Sequence, residues 1–505
     1  MNNAKRLLAA LLCALMVVPT IAGCSDGGEG TTGDTPAAAD TTAAEDTTPV
    51  ETDRSQAKDN LPEGLNFGGM EVKTHSRGGA NRELDLNGAG EEVGDIVKDA
   101  VYKKARSVED RLNVKLVFTE NTAGYKQLGE EVEKAILAGD DTWQIISTSS
   151  NGTVSFARDY LWQPVQDNQY LDFDQPWWWK DAMYEISLDT KTIRYLIGDT
   201  NLSAYNYCGA VLYNKDLLEN FGGKESELYD VVFSGKWTLD KLGEYASTMN
   251  KDVDGDGTFG LNDVLGFYID TFEYVKFLEY GLDVRRYTRD DKGYPVVDLD
   301  VERASTAIDK MLKLLKETKG CYWDTKETKR RRDLFAAGNM VFWGTILGDM
   351  YNVDVRAMDS EYGLVPYPKL DENQAEYTTF IHNSTAMSTI PITNKNPDVA
   401  CAVLEAMCSE AYRSVIDVYF EAAMKGKYSS DPNSAKCVDI IRAAARKYFF
   451  AEYSATAVSG GQIGFLCSNQ VKAGQNTLAS TYASIKETTA TALNKFIEDQ
   501  LGKMQ

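Results

Sequence analysis

The stretch from Leu202 to Asp263 constrains this chain most, because three kinds of element follow one another there without a break. Along LSAYNYCGAVLYNKDLL, Tyr205, Tyr207, Gly209 and Val211 alternate with their neighbours at period two, which predicts a strand. Asn214 is then placed as a helix cap, Asp216 falls in the first turn where the helix dipole favours a negative charge, and Gly222 ends the helix. KWTLDKLGEYASTMNKD repeats the logic. Thr238 caps, Asp240 sits in the first turn, and Leu242, Tyr245, Ala246 and Met249 form an apolar stripe. DVDGDGTFGLND closes the stretch as an oxygen-rich loop.

That loop fits the twelve-residue calcium pattern D-x-D-x-D-G-x5-acid. Asp252, Asp254 and Asp256 alternate inward, Thr258 offers its carbonyl, and Asp263 closes the ring. A Ca2+ ion there is structural, pinning the preceding helix to the following strand. Asp263 departs from the usual Glu and reaches less far. The alternative is an acidic turn without metal.

The flanking chain reads as α/β. Met70 to His75 is a strand, and Glu92 to Leu112 is a helix with Val93, Ile96, Val97, Val101, Ala105, Val108 and Leu112 on one face. Asn113 to Phe118 is a strand and Lys126 to Leu137 a helix, followed by a short apolar strand ending in Ser147 to Asn151. This is a βαβ pattern with a parallel sheet. Further on, Val264 to Ile269 reads as a strand, and Val301 to Lys316 and Thr325 to Ala337 as helices, the latter ending at Gly338 and followed by Asn339 to Gly344. Helices follow at Asp398–Met407, Ala435–Phe449 and about Ala479–Leu501.

The order of Tyr213-Asn214-Lys215-Asp216, Trp237-Thr238, the Asp/Gly loop, FAAGNMVFWG and SEYGLVPYPKLDENQ, spanning roughly Asn66 to Phe449, resembles the extracellular solute-binding proteins of ABC importers. The resemblance is to the large sugar-binding type related to maltose-binding protein. It implies a two-lobed periplasmic-binding-protein-like α/β fold, each lobe a mainly parallel sheet flanked by helices and discontinuous in sequence. The boundaries expected are 61–205 with 384–430 for lobe 1 and 206–383 with 431–505 for lobe 2, as two separately cored halves. The chain crosses between lobes near Tyr207. The function implied is capture of a carbohydrate, as an oligosaccharide, in the interlobe cleft, and delivery to ABC permease subunits by a monomer that is not an enzyme. Two readings from other classes stand beside it: a surface hydrolase acting on glycans, and an interaction protein that senses a ligand.

In an open α/β sheet the ligand crevice lies outside the carboxyl ends of the strands. That rule selects His75, Arg77, Ser149, Asn151, Asp270 and Phe272 as ligand contacts, with Tyr205, Tyr207 and Trp343 at crossings or strand ends. Asp174 to Lys180, DQPWWWK, is a loop whose three tryptophans cannot all face one core. They pack an edge or form a sugar-stacking wall. His75 and His382 read as hydrogen-bonding residues, or as a pair meeting across the cleft. Lys329-Arg330-Arg331-Arg332 reads as a solvated helix face, or as a contact for a phosphate or a permease loop.

Residues 1–23 look like a lipoprotein signal peptide. Lys5 and Arg6 precede the apolar run Leu7 to Val18, and Ile21-Ala22-Gly23-Cys24 resembles a lipobox, so Cys24 is the lipidated mature N-terminus. Residues 24–60 are rich in Thr, Ala, Gly, Asp and Glu and form a disordered tether reaching on the order of 35 Å. The protein is thus lipid-anchored on the extracellular face of the membrane, as in a Gram-positive cell, or periplasm-facing in a Gram-negative one. A net charge of −23 argues against nucleic acid and anionic membrane surfaces as partners. Cys208, Cys321, Cys401, Cys408, Cys437 and Cys467 read as free buried thiols, since a core of this size needs no staples. No GxSxG, HExxH, Walker loop or dinucleotide fingerprint occurs, so no catalytic residue is assigned.

Overall fold

Two sheets organise the chain. The computed structural model describes residues 54–78, 85, 88, 90–149, 158–270, 272–326, 330–423, 431–445 and 462–504. The expectations placed on the leader, Cys24, most of the tether and Asn151 lie outside the described residues, as does the side chain of Phe272.

The first sheet has the order β11-β3-β1-β2, with β1 (Met70–Arg77), β2 (Val114–Asn121), β3 (Ile145–Ser149) and β11 (Ala386–Thr389). β1 runs parallel to both neighbours, and β11 returns antiparallel on β3. The helix Ile96–Leu112 buries Val97, Val101, Ala105, Val108 and Leu112, the stripe legible in the sequence. It begins at Ile96, later than the periodicity indicates. The Asp95 side chain accepts from the backbone N–H groups of Val97 and Lys98 and caps it there.

The second sheet has the order β10-β4-β9-β5-β8, with β4 (Gly209–Asn214), β5 (Leu265–Asp270), β8 (Cys321–Asp324), β9 (Met340–Ile346) and β10 (Tyr362–Val365). β5 is parallel to β8 and β9, while β4 is antiparallel to β9 and β10. Both sheets are therefore mixed, because strands that enter by crossing from the other lobe arrive in the reverse sense. β6 (Tyr287–Arg289) and β7 (Pro295–Val297) form a separate hairpin.

Local chemistry explains most elements. Asn214 caps Lys215–Asn220 by accepting from Leu217, and Thr238 caps Leu239–Thr248 by accepting from Lys241. The tail of the helix expected from Val301 to Lys316 is instead a wider turn, Lys313–Glu317, and β8 was hidden inside a stretch that has no period.

Leu202–Asn206 is a short helix, which corrects the strand expected through Tyr205. All five residues of this turn are buried, so no polar face marks its period. The strand starts at Gly209, where a Cβ would lie 2.2 Å from the Phe277 ring.

Two crossings run side by side. The Gly209 N–H donates to the Phe380 carbonyl (3.1 Å), and the His382 N–H donates to the Tyr207 carbonyl (3.0 Å). Aromatic rings pack here, with Phe380 4.8 Å from Tyr280 and 5.3 Å from Phe277. The buried apolar residues consequently form one contiguous cluster through both lobes, not two separate cores. Two further straps join the lobes. Arg442, on Pro432–Ala444, reaches Asp199 and the Pro176 carbonyl, and the last helix, Leu478–Met504, runs from β7 to Asp159–Leu161, where Lys503 lies over the Tyr160 ring.

Trp177, Trp178 and Trp179 are all buried, contrary to the expectation for a loop. The chain folds back so that Trp177 and Trp178 donate their indole N–H groups to Glu405 (3.0 and 2.8 Å) and Trp179 donates to Asp199 (3.3 Å). They offer no stacking wall. The six cysteines are free, and all but Cys321 are buried.

Candidate functional site

The carboxyl ends of the two sheets face each other. Asp95 stands at the start of the helix that follows β1, on the carboxyl side of the first sheet. Tyr351 lies just beyond the carboxyl end of β9. The Tyr351 hydroxyl donates to Asp95 (3.4 Å), and its ring stacks on Tyr419 of the first lobe at 5.6 Å. A Cβ at Gly348 would sit 2.7 Å from the Asn206 carbonyl oxygen, so the turn after β9 touches the first crossing directly.

On the first lobe β1, β3 and β11 present hydroxyl groups at this edge, beside Arg77 and Asp95. Ser76 and Ser147 pair in register on β1 and β3, Ser147 faces Ser388 on β11, and Ser149 ends β3. Ser147, Ser388 and Thr385 are buried, and their hydroxyls have no hydrogen-bond partner among the described residues.

On the second lobe the edge is ionic. In register across the sheet, Asp324 of β8 lies beside Asp270 of β5, and Thr345 of β9 comes next. Asp270, Asp324 and Asp349 are 0% exposed. Arg331 and Arg332, at the start of the helix Arg331–Ala336, close over them. Arg331 donates from Nη1 to Asp270 (2.9 Å) and from Nη2 to the Tyr274 hydroxyl (3.2 Å), with Nε 3.6 Å from Asp349. Arg332 approaches Asp349 Oδ1 with Nε (2.8 Å) and Nη2 (2.7 Å). Thr345 donates its hydroxyl to Asp349, and Tyr268 donates to Asp324 (3.2 Å). Burial pushes the Asp270 carboxyl above its ordinary range, against the opposing pull of Arg331. Burial also works against the charge on Arg331, but Tyr274, Asp349 and Asp270 override it and hold the guanidinium more firmly protonated than usual.

The expected ligand residues divide into two groups. Arg77, Ser149, Tyr207 and Asp270 lie at strand ends or on a crossing at this boundary. Arg77 lies over the Tyr125 ring (5.4 Å), and the half-buried Tyr207 ring lies 5.6 Å from His382. His75, Tyr205 and Trp343 are interior. His75 faces the side covered by the helix Tyr125–Leu137. Its Nδ1 is 2.8 Å from the Thr119 hydroxyl, Nε2 is 3.6 Å from Glu131, and its ring stacks on Trp143. Burial lowers its pKa, so the ring is neutral at pH 7. Tyr205 is 1% exposed and donates to Asp199 (2.8 Å). Trp343 is 0% exposed and packs on Phe335. Each is buried, as Ser149 and Asp270 are too, so strand-end position alone does not reveal which side chains reach solvent. His75 thus meets Thr119, Glu131 and Trp143, while the His382 ring lies by Tyr207 and Phe380.

Arg331 and Arg332 are the functional candidates that sequence reasoning set aside. They turn inward onto acids, which corrects their reading as a solvated face. The signal was there: a run of four cations in a chain of net charge −23 needs a reason. Asp324 was out of reach because β8 itself went unseen.

In the acidic loop, one carboxylate oxygen from each of Asp252, Asp254 and Asp256 lies within 4.8 Å of the others. Asp263 stands outside that group. Its Oδ1 accepts from the Val253 N–H and its Oδ2 from the Gly260 N–H (both 2.8 Å), so its carboxylate holds the loop's frame. The donor set of three acids and a carbonyl suits a hard cation.

This architecture is a two-lobed α/β fold shared with solved sugar-binding proteins and receptors. Among solved structures, M. tuberculosis UspC matches with a TM-score of 0.54 at 14% identity, over 84% of this chain and all of that one. A cyclo/maltodextrin-binding protein complexed with maltotetraose matches at 0.52 and 14%, over 86% of this chain and 98% of that one. The GacH receptor of Streptomyces glaucescens, solved unliganded and with acarbose, matches at 0.51 and 14%, over 85% and 99%. No protein-family model and no curated protein matches the chain. Among the described residues no helix is long and apolar enough to cross a membrane.

Proposed function

We propose that this protein captures a carbohydrate between its two lobes and hands it to an ABC permease without altering it. The observation that carries the reading is the pair of facing carboxyl edges joined by adjacent crossings, hydroxyl-lined on one side and charge-lined on the other. Neighbours of the same fold bind maltotetraose or acarbose, as their names state, which supports a sugar as guest. The lobes are proposed as 61–205 with 384–430 and 206–383 with 431–505, closing about Tyr207–Gly209 and Phe380–His382. The chain acts as a monomer, anchored outside the cell through lipid on Cys24. Titration with a panel of oligosaccharides tests this, read by intrinsic tryptophan fluorescence and by calorimetry. Saturable binding without turnover is expected, and silence across the panel, or product release, rejects it.

The loop at Asp252, Asp254, Asp256 and Thr258 is proposed to hold a structural Ca2+. The ion would neutralise three neighbouring carboxylates and tie Leu239–Thr248 to β5. At 1 mM calcium the melting temperature should exceed that in EDTA by a few degrees, following from stabilisation of roughly 1–3 kcal/mol by a ligand well above its Kd. An unchanged melt removes the ion from the account.

A further inference from the structure

Resting on the capture reading, we infer that the guest carries an anionic group, a carboxylate or a sulfate ester on a sugar, and that Arg331 and Arg332 receive it. The edge of the second lobe is sorted by charge. Its three aspartates are 0% exposed, whereas the side chains of Arg331 and Arg332 are 19% and 38% exposed. A guest arriving there meets guanidinium edges, with the acids behind them. In a chain of net charge −23 the two cations are not needed for general solubility.

Both arginines neutralise buried acids, and Arg332 keeps hydrogen-bonding capacity beyond that role. Asp349 already receives the Thr345 hydroxyl and has Arg331 3.6 Å away. Arg332 adds two approaches to the same oxygen, Asp349 Oδ1, and among the described residues its Nη1 has no hydrogen-bond partner. A guanidinium fixed on a buried carboxylate keeps its outer N–H groups in a set direction. It therefore binds a planar or tetrahedral anion at little cost in rotamer freedom. Asp349 stands two residues before Tyr351, which meets Asp95 of the other lobe, so Arg332 is anchored at the interlobe boundary.

The test uses the whole chain and three probes of similar length: a neutral maltotetraose, an oligogalacturonate, and a sulfated oligosaccharide. An acidic probe should bind about tenfold or more tightly than the neutral one at low salt, with the advantage shrinking at 0.5 M NaCl. Arg332→Gln leaves Asp349 with Arg331 and Thr345. It should lose about tenfold for the acidic probe and little for the neutral one, since one charge-assisted contact is worth about a decade. Arg332→Lys should recover part of that loss, and it serves as the reporter if the glutamine variant melts early. Whether galacturonate or sulfate binds more tightly identifies the anion. Equal binding of neutral and acidic probes, or an Arg332→Gln variant that binds the acidic probe unchanged, overturns the inference. Binding of the neutral probe alone overturns it while leaving the capture reading in place, and no binding of any probe overturns both.

Discussion

The two edges that face each other are made of opposite materials. Ser76, Ser147, Ser149, Thr385 and Ser388 line the first lobe, and Asp270, Asp324, Asp349, Arg331 and Arg332 line the second. The difference follows from what burial tolerates. A hydroxyl left without a partner costs roughly 1–3 kcal/mol, whereas an unpaired buried carboxylate costs several. The ionic edge must therefore be paired before any guest arrives, which fixes its geometry. On the hydroxyl edge, by contrast, Ser147, Ser388 and Thr385 keep hydroxyls with no partner among the described residues.

This comparison can be broken by mutation, and the largest effect belongs to the ionic side. Arg331→Ala strips Asp270 of its cation and should lower unfolding stability by about 3–5 kcal/mol. Adding Asp270→Asn should recover much of that loss. Urea midpoints measure both, and a single-variant cost below about 1 kcal/mol would mean that the edge is not held by its ion pairs.

The first lobe also buries an acid, but away from its edge, and that acid responds to pH. Burial raises Glu405 from 4.5 to about 7, against the indole N–H groups of Trp178 and Trp177 and the Asp172 N–H, which favour its charge. The folded state thus holds a proton that the unfolded state has released. This contribution is most favourable below pH 4.5, and about 3 kcal/mol of it is lost as pH rises toward 7. Glu405→Gln should flatten that fall when stability is followed from pH 4.5 to 8. An unchanged slope would show that Glu405 ionises normally.

The smallest effect is expected on the hydroxyl side. Ser147→Ala and Thr385→Ala remove groups with no partner among the described residues, so neither should lower stability, and relief of the unpaired hydroxyl should leave it unchanged or slightly raised. If these hydroxyls serve a guest, the same variants weaken sugar binding at unchanged melting temperature. A loss of stability above about 1 kcal/mol would instead reveal a structural bond and blur the contrast between the two edges.

Local signals in the sequence were enough for many of the elements and their order, though not for β8 or for Leu202–Asn206. Asn214, Thr238 and the stripe on Ile96–Leu112 act through neighbours a few residues away, so spacing alone reveals them. Where every side chain is buried that signal vanishes, which is why Leu202–Asn206 resembled a strand and the three tryptophans resembled a surface loop.

What only the tertiary structure decided is which residues share an edge. Asp270, Asp324 and Asp349 come from three separate parts of the chain and meet because β8, β5 and β9 lie side by side. Arg331 and Arg332 turn inward because those acids must be neutralised. His75, at a strand end as expected, sits under a helix because side chains alternate between sheet faces, and the face that is covered depends on packing from elsewhere in the chain. Periodicity and capping are properties of neighbours in sequence, while charge pairing at a buried edge is a property of neighbours in space.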